Sequence, residues 1–257
     1  MTDRALFTLL FLAWSAHAQE PFSKLRATGP QTLAMAYRCN PDQRANLRQI
    51  MADSGVARFE GWKKQGILKD YNILFNSYLD SETYDLLTLL TFQDFSGVNR
   101  WKEIERTAPG GLSNEALKLV TSAITYSLDL VRRGASKERP KTGQSVYFII
   151  PYDYVIGTDD YVRYLDTYVI PQVDGWMEEN VLASYSMYLS RYSTARAWGS
   201  LFVLEYRDHD AFGKRESTLA KVREKLRTNA AWLAASENKQ KIRVEKQTII
   251  AEELLPR

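Results

Sequence analysis

Gly61-Trp62, followed by Leu68, Tyr71 and Tyr78, returns later in the chain as Gly175-Trp176, followed by Leu182, Tyr185 and Tyr192. The two stretches align without a gap, since 175 − 61 and 185 − 71 both equal 114, and the same offset carries on through Leu87/Leu201 and Asp94/Asp208. A period this long exceeds that of solenoid repeats, so each copy is expected to be a whole domain. With 257 residues the chain can give each copy a core of its own. Hydrophobic residues at 45% and charged residues at 25% are globular values, which sets disorder aside. A formal net charge of +3 is too small to argue for a nucleic-acid partner.

Residues 1–19 read as a secretory signal peptide: Arg4 is the basic start, Ala5 to Trp14 the apolar run, and Ala16-His17-Ala18 the cleavage pattern. The run is too short to cross a bilayer. The expectation is therefore a periplasmic or secreted protein with no transmembrane segment once the signal is removed. Residues 20–30 carry Pro21, Gly29 and Pro30 and read as a linker. Cys39 is the single cysteine, so no intrachain disulfide can form, and it reads as a small residue at a strand end.

The first copy should occupy residues 31–133. Leu33 to Tyr37 suits a short strand, and Asn40-Pro41 looks like a helix start with Pro at its first position. A helical stripe through Leu47, Ile50, Met51, Val56 and Phe59 is interrupted at Ser54-Gly55 and stops near Gly66. The period then changes to two, giving a hairpin up to Phe92, followed by a helix from Phe95 to Arg106. Residues 113–133 are ambiguous, with a strand from about Ser122 to Arg132 preferred. Residues 134–144 read as the domain linker, and 145–257 repeat the plan. Pro171 should kink the long helix of the second copy. A helix from Asp210 to Leu226, a short helix near Trp232 and a final strand from Arg243 to Leu254 complete it.

Each half thus reads β-α-β-β-α-β, the ferredoxin-like split order, an α+β class with both helices on one face of a four-stranded sheet. The bare face of such a sheet must be covered. Packing the two sheets together would give a sandwich or barrel, a pseudo-dimer within one chain. With that order, the paired long hairpins, and Tyr168-Val169-Ile170-Pro171 followed by Trp176, the chain resembles the dimeric α+β barrel superfamily in tandem-fused form over about residues 31–257. The resemblance implies a fold shared by cofactor-free antibiotic-biosynthesis monooxygenases, muconolactone isomerases, haem-degrading monooxygenases, chlorite dismutases and NIPSNAP-like proteins. So wide a range fixes no activity, and no catalytic motif of these families matches residue by residue.

Candidate site residues follow from the repeat. Trp62, Trp176, Tyr71 and Tyr185, with Tyr192, could surround a flat apolar ligand. Persistence in both copies equally fits core anchors, and favours that reading. The second copy is the richer in tyrosine, whose hydroxyls offer hydrogen bonds without charge. His209, between Asp208 and Asp210, could act as a base or hold haem iron. Its repeat counterpart is Phe95, and a plain turn with a helix cap by Asp208 or Asp210 is the competing account. Ligands for a zinc site are too few, and no phosphate loop or nucleophile elbow occurs. The C-terminal cations, Arg215, Arg223, Lys239 and Arg243 among them, read as a solvated face. Three functions follow: binding of a small apolar or aromatic molecule, with oxygenase or isomerase chemistry needing no cofactor; a non-catalytic interaction or structural role in the envelope; or a haem protein using His209.

Overall fold

The computed structural model describes residues 31–194 and 196–255; the expected signal segment 1–19 and linker 20–30 lie outside the described residues. The first half runs β1 (Gln31–Cys39), α1 (Arg44–Ile50), α2 (Val56–Lys64), β2 (Asp70–Asn76), β3 (Leu86–Phe92), α3 (Phe95–Glu105), α4 (Asn114–Leu119) and β4 (Val120–Ala135). The second runs β5 (Val146–Tyr154), α5 (Thr158–Tyr164), α6 (Ile170–Glu178), β6 (Leu182–Ser190), β7 (Ser200–Tyr206), α7 (His209–Gly213), α8 (Arg215–Leu226), α9 (Ala230–Ile242), β8 (Arg243–Glu245) and β9 (Ile249–Glu253).

The repeat is visible down to its irregularities. A π turn, Met51–Gly55, joins α1 to α2, and another, Leu165–Val169, joins α5 to α6 at the same offset. These account for the break expected at Ser54-Gly55 and the kink expected at Pro171. In the second copy the helix widens by one residue just before a proline that could not have donated to the preceding turn. The Gly-Trp stretch closes each of these helices. Gly66 and Asn180 adopt left-handed φ values of 67° and 59°, and the Trp62 and Trp176 carbonyls accept from Ile67 N–H and Val181 N–H at 3.0 and 3.1 Å. Gly175 has a further duty. A Cβ there would lie 2.6 Å from Val222 Cγ1, so only glycine lets α8 approach α6 this closely.

All strand pairs are antiparallel, in the order β4-β1-β3-β2 in one half and β9-β5-β7-β6 in the other. The halves join edge to edge through β4–β6 and β2–β9. Eight strands thereby close into a barrel, which leaves none of these eight with an unpaired edge. The expected face-to-face packing of two sheets is thus realised as a closed barrel. Alternation along each strand sends Ala34, Ala36, Leu87, Leu128, Ile149 and Val203 into a filled interior, capped by Tyr126 stacked on Trp198 at 4.1 Å. The opposite faces carry the helices, with a separate core under each half.

Both seams contain polar anchors. Arg191 pairs with Asp129 at β4–β6, both largely shielded from water. Glu253 accepts from Asn72 Nδ2 at 2.7 Å and Tyr147 Oη at 2.9 Å at the other. Boundaries differ from expectation in four places. β4 extends through Gly134 and Ala135, which were expected in the linker, because both pair with β6. The helix expected from Asp210 to Leu226 divides at Lys214 into α7 and α8, the helix near Trp232 spans 13 residues, and the last strand divides into β8 and β9.

Candidate functional site

The repeat offset identifies where the halves diverge inside their cores. In the first half Phe59, Trp62 and Trp101 interlock, with Phe59–Trp62 and Trp62–Trp101 centroids 5.0 and 5.1 Å apart in edge-to-face geometry, and Phe92 6.2 Å from Trp101. Phe59, Phe92 and Trp101 are buried, and Trp101 Nε1 donates to Glu105 Oε1 at 3.0 Å. That space is full. In the second half Val173 stands for Phe59 and Arg215 for Trp101 (173 − 59 and 215 − 101 are both 114), while Trp176 is kept. Two rings have been exchanged for a small side chain and a long cation. A cavity of about 420 Å³ opens there, within the usual range for small-molecule sites.

Its floor is the outer face of β5 and β7, through Ile150, Tyr152, Phe202 and Leu204. Val173 and Trp176 of α6 and Leu219 of α8 form the walls, and the end of α9 with β8 brings Lys239, Gln240 and Arg243 across the opening. A ladder of rings (Tyr154, Tyr161, Tyr164, Tyr168, Trp232) stacks in series beside it at centroid spacings of 4.1 to 6.0 Å. α9 is latched by Trp232 Nε1, which donates to the Tyr168 carbonyl at 3.0 Å. The same carbonyl accepts from Gln172 Nε2 at 2.7 Å.

Charge is one-sided at this site. Arg215, Arg223, Lys239 and Arg243 line the cavity, against Glu245 as the one carboxylate among its described lining residues. The Arg243 guanidinium sits 3.9 Å over the Tyr152 ring, 5.2 Å from that of Phe202 and 5.5 Å from that of Tyr164. Burial works against its charge, but the neighbouring tyrosines outweigh this and hold its pKa above the ordinary arginine value. Arg223 Nε donates to Gln172 Oε1 at 2.9 Å. Several buried polar atoms around it lack a well-formed hydrogen bond: the hydroxyls of Tyr161, Tyr164, Tyr168 and Tyr206, Trp176 Nε1, Arg215 Nε and Arg243 Nη1, with Tyr161 facing Arg243 and Tyr206 facing Arg215. Burial pushes the Tyr152 and Tyr164 hydroxyls up, so both remain neutral donors at physiological pH.

Of the residues singled out from the sequence, Trp176 lines the cavity. Tyr185 lies outside its lining, its hydroxyl donating to Asp174 Oδ1 at 3.2 Å. Tyr192 is 69% exposed in the β6–β7 turn. Trp62 and Tyr71 both flank Phe59 in the filled core of the first half, with Tyr71 Oη donating to Glu60 Oε2 at 3.1 Å. Asp208 caps α7 by accepting from Ala211 N–H at 2.7 Å. His209 follows it, exposed and outside the cavity lining. Sequence reasoning missed Arg215, Arg223, Lys239 and Arg243 by placing them on a solvated face. The available signal was Arg215 opposite Trp101 in the repeat.

Among the described residues lining the cavity there is no histidine, cysteine or methionine to ligate haem iron; Tyr152 and Tyr168 are the lining side chains of a type that can. Among the described residues no group of three or more His, Cys, Asp or Glu side chains could hold a metal ion, and no helix is long and apolar enough to cross a membrane.

No family model matches the sequence, and no curated protein matches it. Solved structures do match. One is a protein described as a candidate monooxygenase from Lactobacillus acidophilus (TM-score 0.53, 8% identity, 88% of this chain and 93% of that one). Another is an anthrone oxidase-like protein (TM-score 0.54, 10% identity, 89% and 92%). A third, from Fusobacterium nucleatum, is again described as a candidate monooxygenase (TM-score 0.51, 10% identity, 89% and 94%). At these identities the likeness is one of fold, the dimeric α+β barrel.

Proposed function

We propose that this chain binds a small, flat aromatic molecule in the cavity of its second half. In this reading two tandem ferredoxin-like units form one barrel, the first half a filled scaffold and the second the working half. One observation carries it. At equivalent positions the first half holds Phe59 and Trp101, while the second holds Val173 and Arg215 and has a cavity of about 420 Å³. A concave, partly open space of this size walled by aromatic side chains is the usual setting of a small-molecule site. The kept Trp176 and the adjoining tyrosine ladder offer ring faces for stacking, at centroid spacings that aromatic pairs prefer.

Oxygenation or isomerisation of that ligand is the chemistry we propose to look for, because structures of this fold include proteins described as candidate monooxygenases and one described as anthrone oxidase-like. The chain's own part would be to hold the ring and exclude water. The Tyr152 hydroxyl gives its one proton to Glu245 Oε2 at 3.1 Å and so fixes that carboxylate at the edge of the site. We also propose export, from Ala16-His17-Ala18; N-terminal sequencing of the protein recovered outside the cytoplasm checks the cleavage site.

Binding is tested by titrating 2-naphthol against the intact protein and its Val173→Phe variant, following tryptophan fluorescence and heat. The wild type should bind and the filled variant should not. Equal binding by both would remove the cavity from the account. Added haemin supplies a parallel control: a Soret band that His209→Ala abolishes would reinstate the haem reading.

A further inference from the structure

The cavity also carries information about ligand charge. Two shielded cations elsewhere in this fold are paired with carboxylates, Arg44 with Asp85 at 2.7 Å and Arg191 with Asp129, whereas Arg207 donates to Ser136 Oγ at 3.1 Å and keeps a buried, unpartnered Nε. The second, more open cleft, between Pro41, Phe75 and Glu252, has its two arginines, Arg44 and Arg48, paired with carboxylates. The cavity of the second half is different. Among the described residues no carboxylate pairs with Arg243, Arg223 or Lys239, and Arg215 pairs only with the exposed Glu216, on the side away from its unpartnered Nε. Arg243 Nη1 is shielded from water and has no carboxylate partner; the polar group that interacts with its guanidinium is the Tyr161 hydroxyl.

An unpaired guanidinium held among rings is costly unless an anion completes it. Its planar fork matches a carboxylate or phenolate oxygen and gives charge-assisted bonds roughly twice as strong as neutral ones. The polar part of the cavity wall carries four cations against the single carboxylate of Glu245 among its described residues, and the apolar part is largely aromatic, so one molecule with an anionic end and a ring suits both.

We infer that the ligand is an anionic aromatic, an aryl carboxylate or phenolate-type oxyanion, with its charged oxygens held by Arg243 together with Arg223 and Lys239. This rests on the binding role proposed above and adds the chemical class.

The test compares 2-naphthoate with its neutral isostere 2-naphthamide by calorimetry on the full chain. Naphthoate should bind at least about tenfold tighter, and Arg243→Gln should erase the difference between the two probes. Should Arg243→Gln fail to fold, Arg223→Gln, whose side chain lies nearer the surface, should reduce the preference several-fold. The preference should persist in 0.5 M salt, where attraction to the exposed basic faces of α8 and α9 would be about fully screened. Equal affinity for the two probes, or a preference that salt abolishes, overturns the anionic class and leaves the cavity reading standing. Binding of neither probe overturns both.

Discussion

Val173→Phe restores in the second half the residue that fills the first. Phe59 is buried against Trp62 at 5.0 Å and Tyr71 at 5.9 Å. A phenyl ring at 173 would instead enter a void of about 420 Å³ bounded by Trp176, Leu219 and Phe202. The change adds on the order of 50 Å² of buried apolar area, which at roughly 25 cal/mol per Å² is about 1 kcal/mol of stabilisation. Two local effects bear on that figure. Arg215 can lay its guanidinium on the new ring face, as it already does on Phe148 at 4.6 Å, whereas water displaced from the cations opposes the gain. For a chain of 257 residues, 1 kcal/mol corresponds to a rise of about 2 °C in Tm. Differential scanning calorimetry of wild type and variant without ligand measures it. A rise of one to three degrees, with 2-naphthol binding weakened at least about tenfold, is the expected pair. A fall of several degrees would mean that the site is already packed and the ring is forced in, and the comparison of the two halves would then be refuted.

Trp101→Ala in the first half should behave oppositely, costing about 3–5 kcal/mol in denaturant unfolding, because Phe59, Trp62 and Phe92 close around Trp101 and cannot collapse into its volume. Burial holds the Glu253 carboxyl above its ordinary value, against the opposing hydrogen bonds from Asn72 and Tyr147. The folded chain therefore binds that proton more tightly than the unfolded one, and stability falls as pH rises from the ordinary glutamate value through the raised one. Glu253→Gln should accordingly raise Tm at pH 7 to 8, with the advantage shrinking below about pH 4, where both states are protonated; a Tm gain that stays constant with pH would count against this. Cys39, buried and beside the Asp85 carboxylate, has its thiol pushed up to about 12. It should resist iodoacetamide at pH 8 in the native protein and react once the chain is unfolded, and fast native labelling would contradict the packing at the end of β1.

The duplication and most element positions were legible in the chain because they rest on local rules. Pro41 at a helix start and the left-handed residues Gly66 and Asn180 at helix ends each follow from backbone sterics. The break at Ser54-Gly55 and the strain at Pro171 were legible as interruptions, but the π turns themselves required the helices to be built. At the site, Trp176 could be chosen from the repeat. His209, the first point of divergence considered, lies exposed at the start of α7, whereas the divergence that opens a cavity is Arg215 against Trp101.

By itself the sequence determined that the chain is two copies of one plan, with helices and strands in a fixed order, since propensity, capping and period act within a few residues. Only the tertiary structure decided that the copies share seams, through β4–β6 and β2–β9, because edge pairing between residues far apart leaves no local trace. It also decided what the C-terminal cations are for. Helical spacing alone spreads Arg215, Arg223 and Lys239 around a polar helix surface. Once α8 packs on α6 through Gly175 and Trp232 latches α9 to the Tyr168 carbonyl, they turn with Arg243 towards one aromatic-walled space.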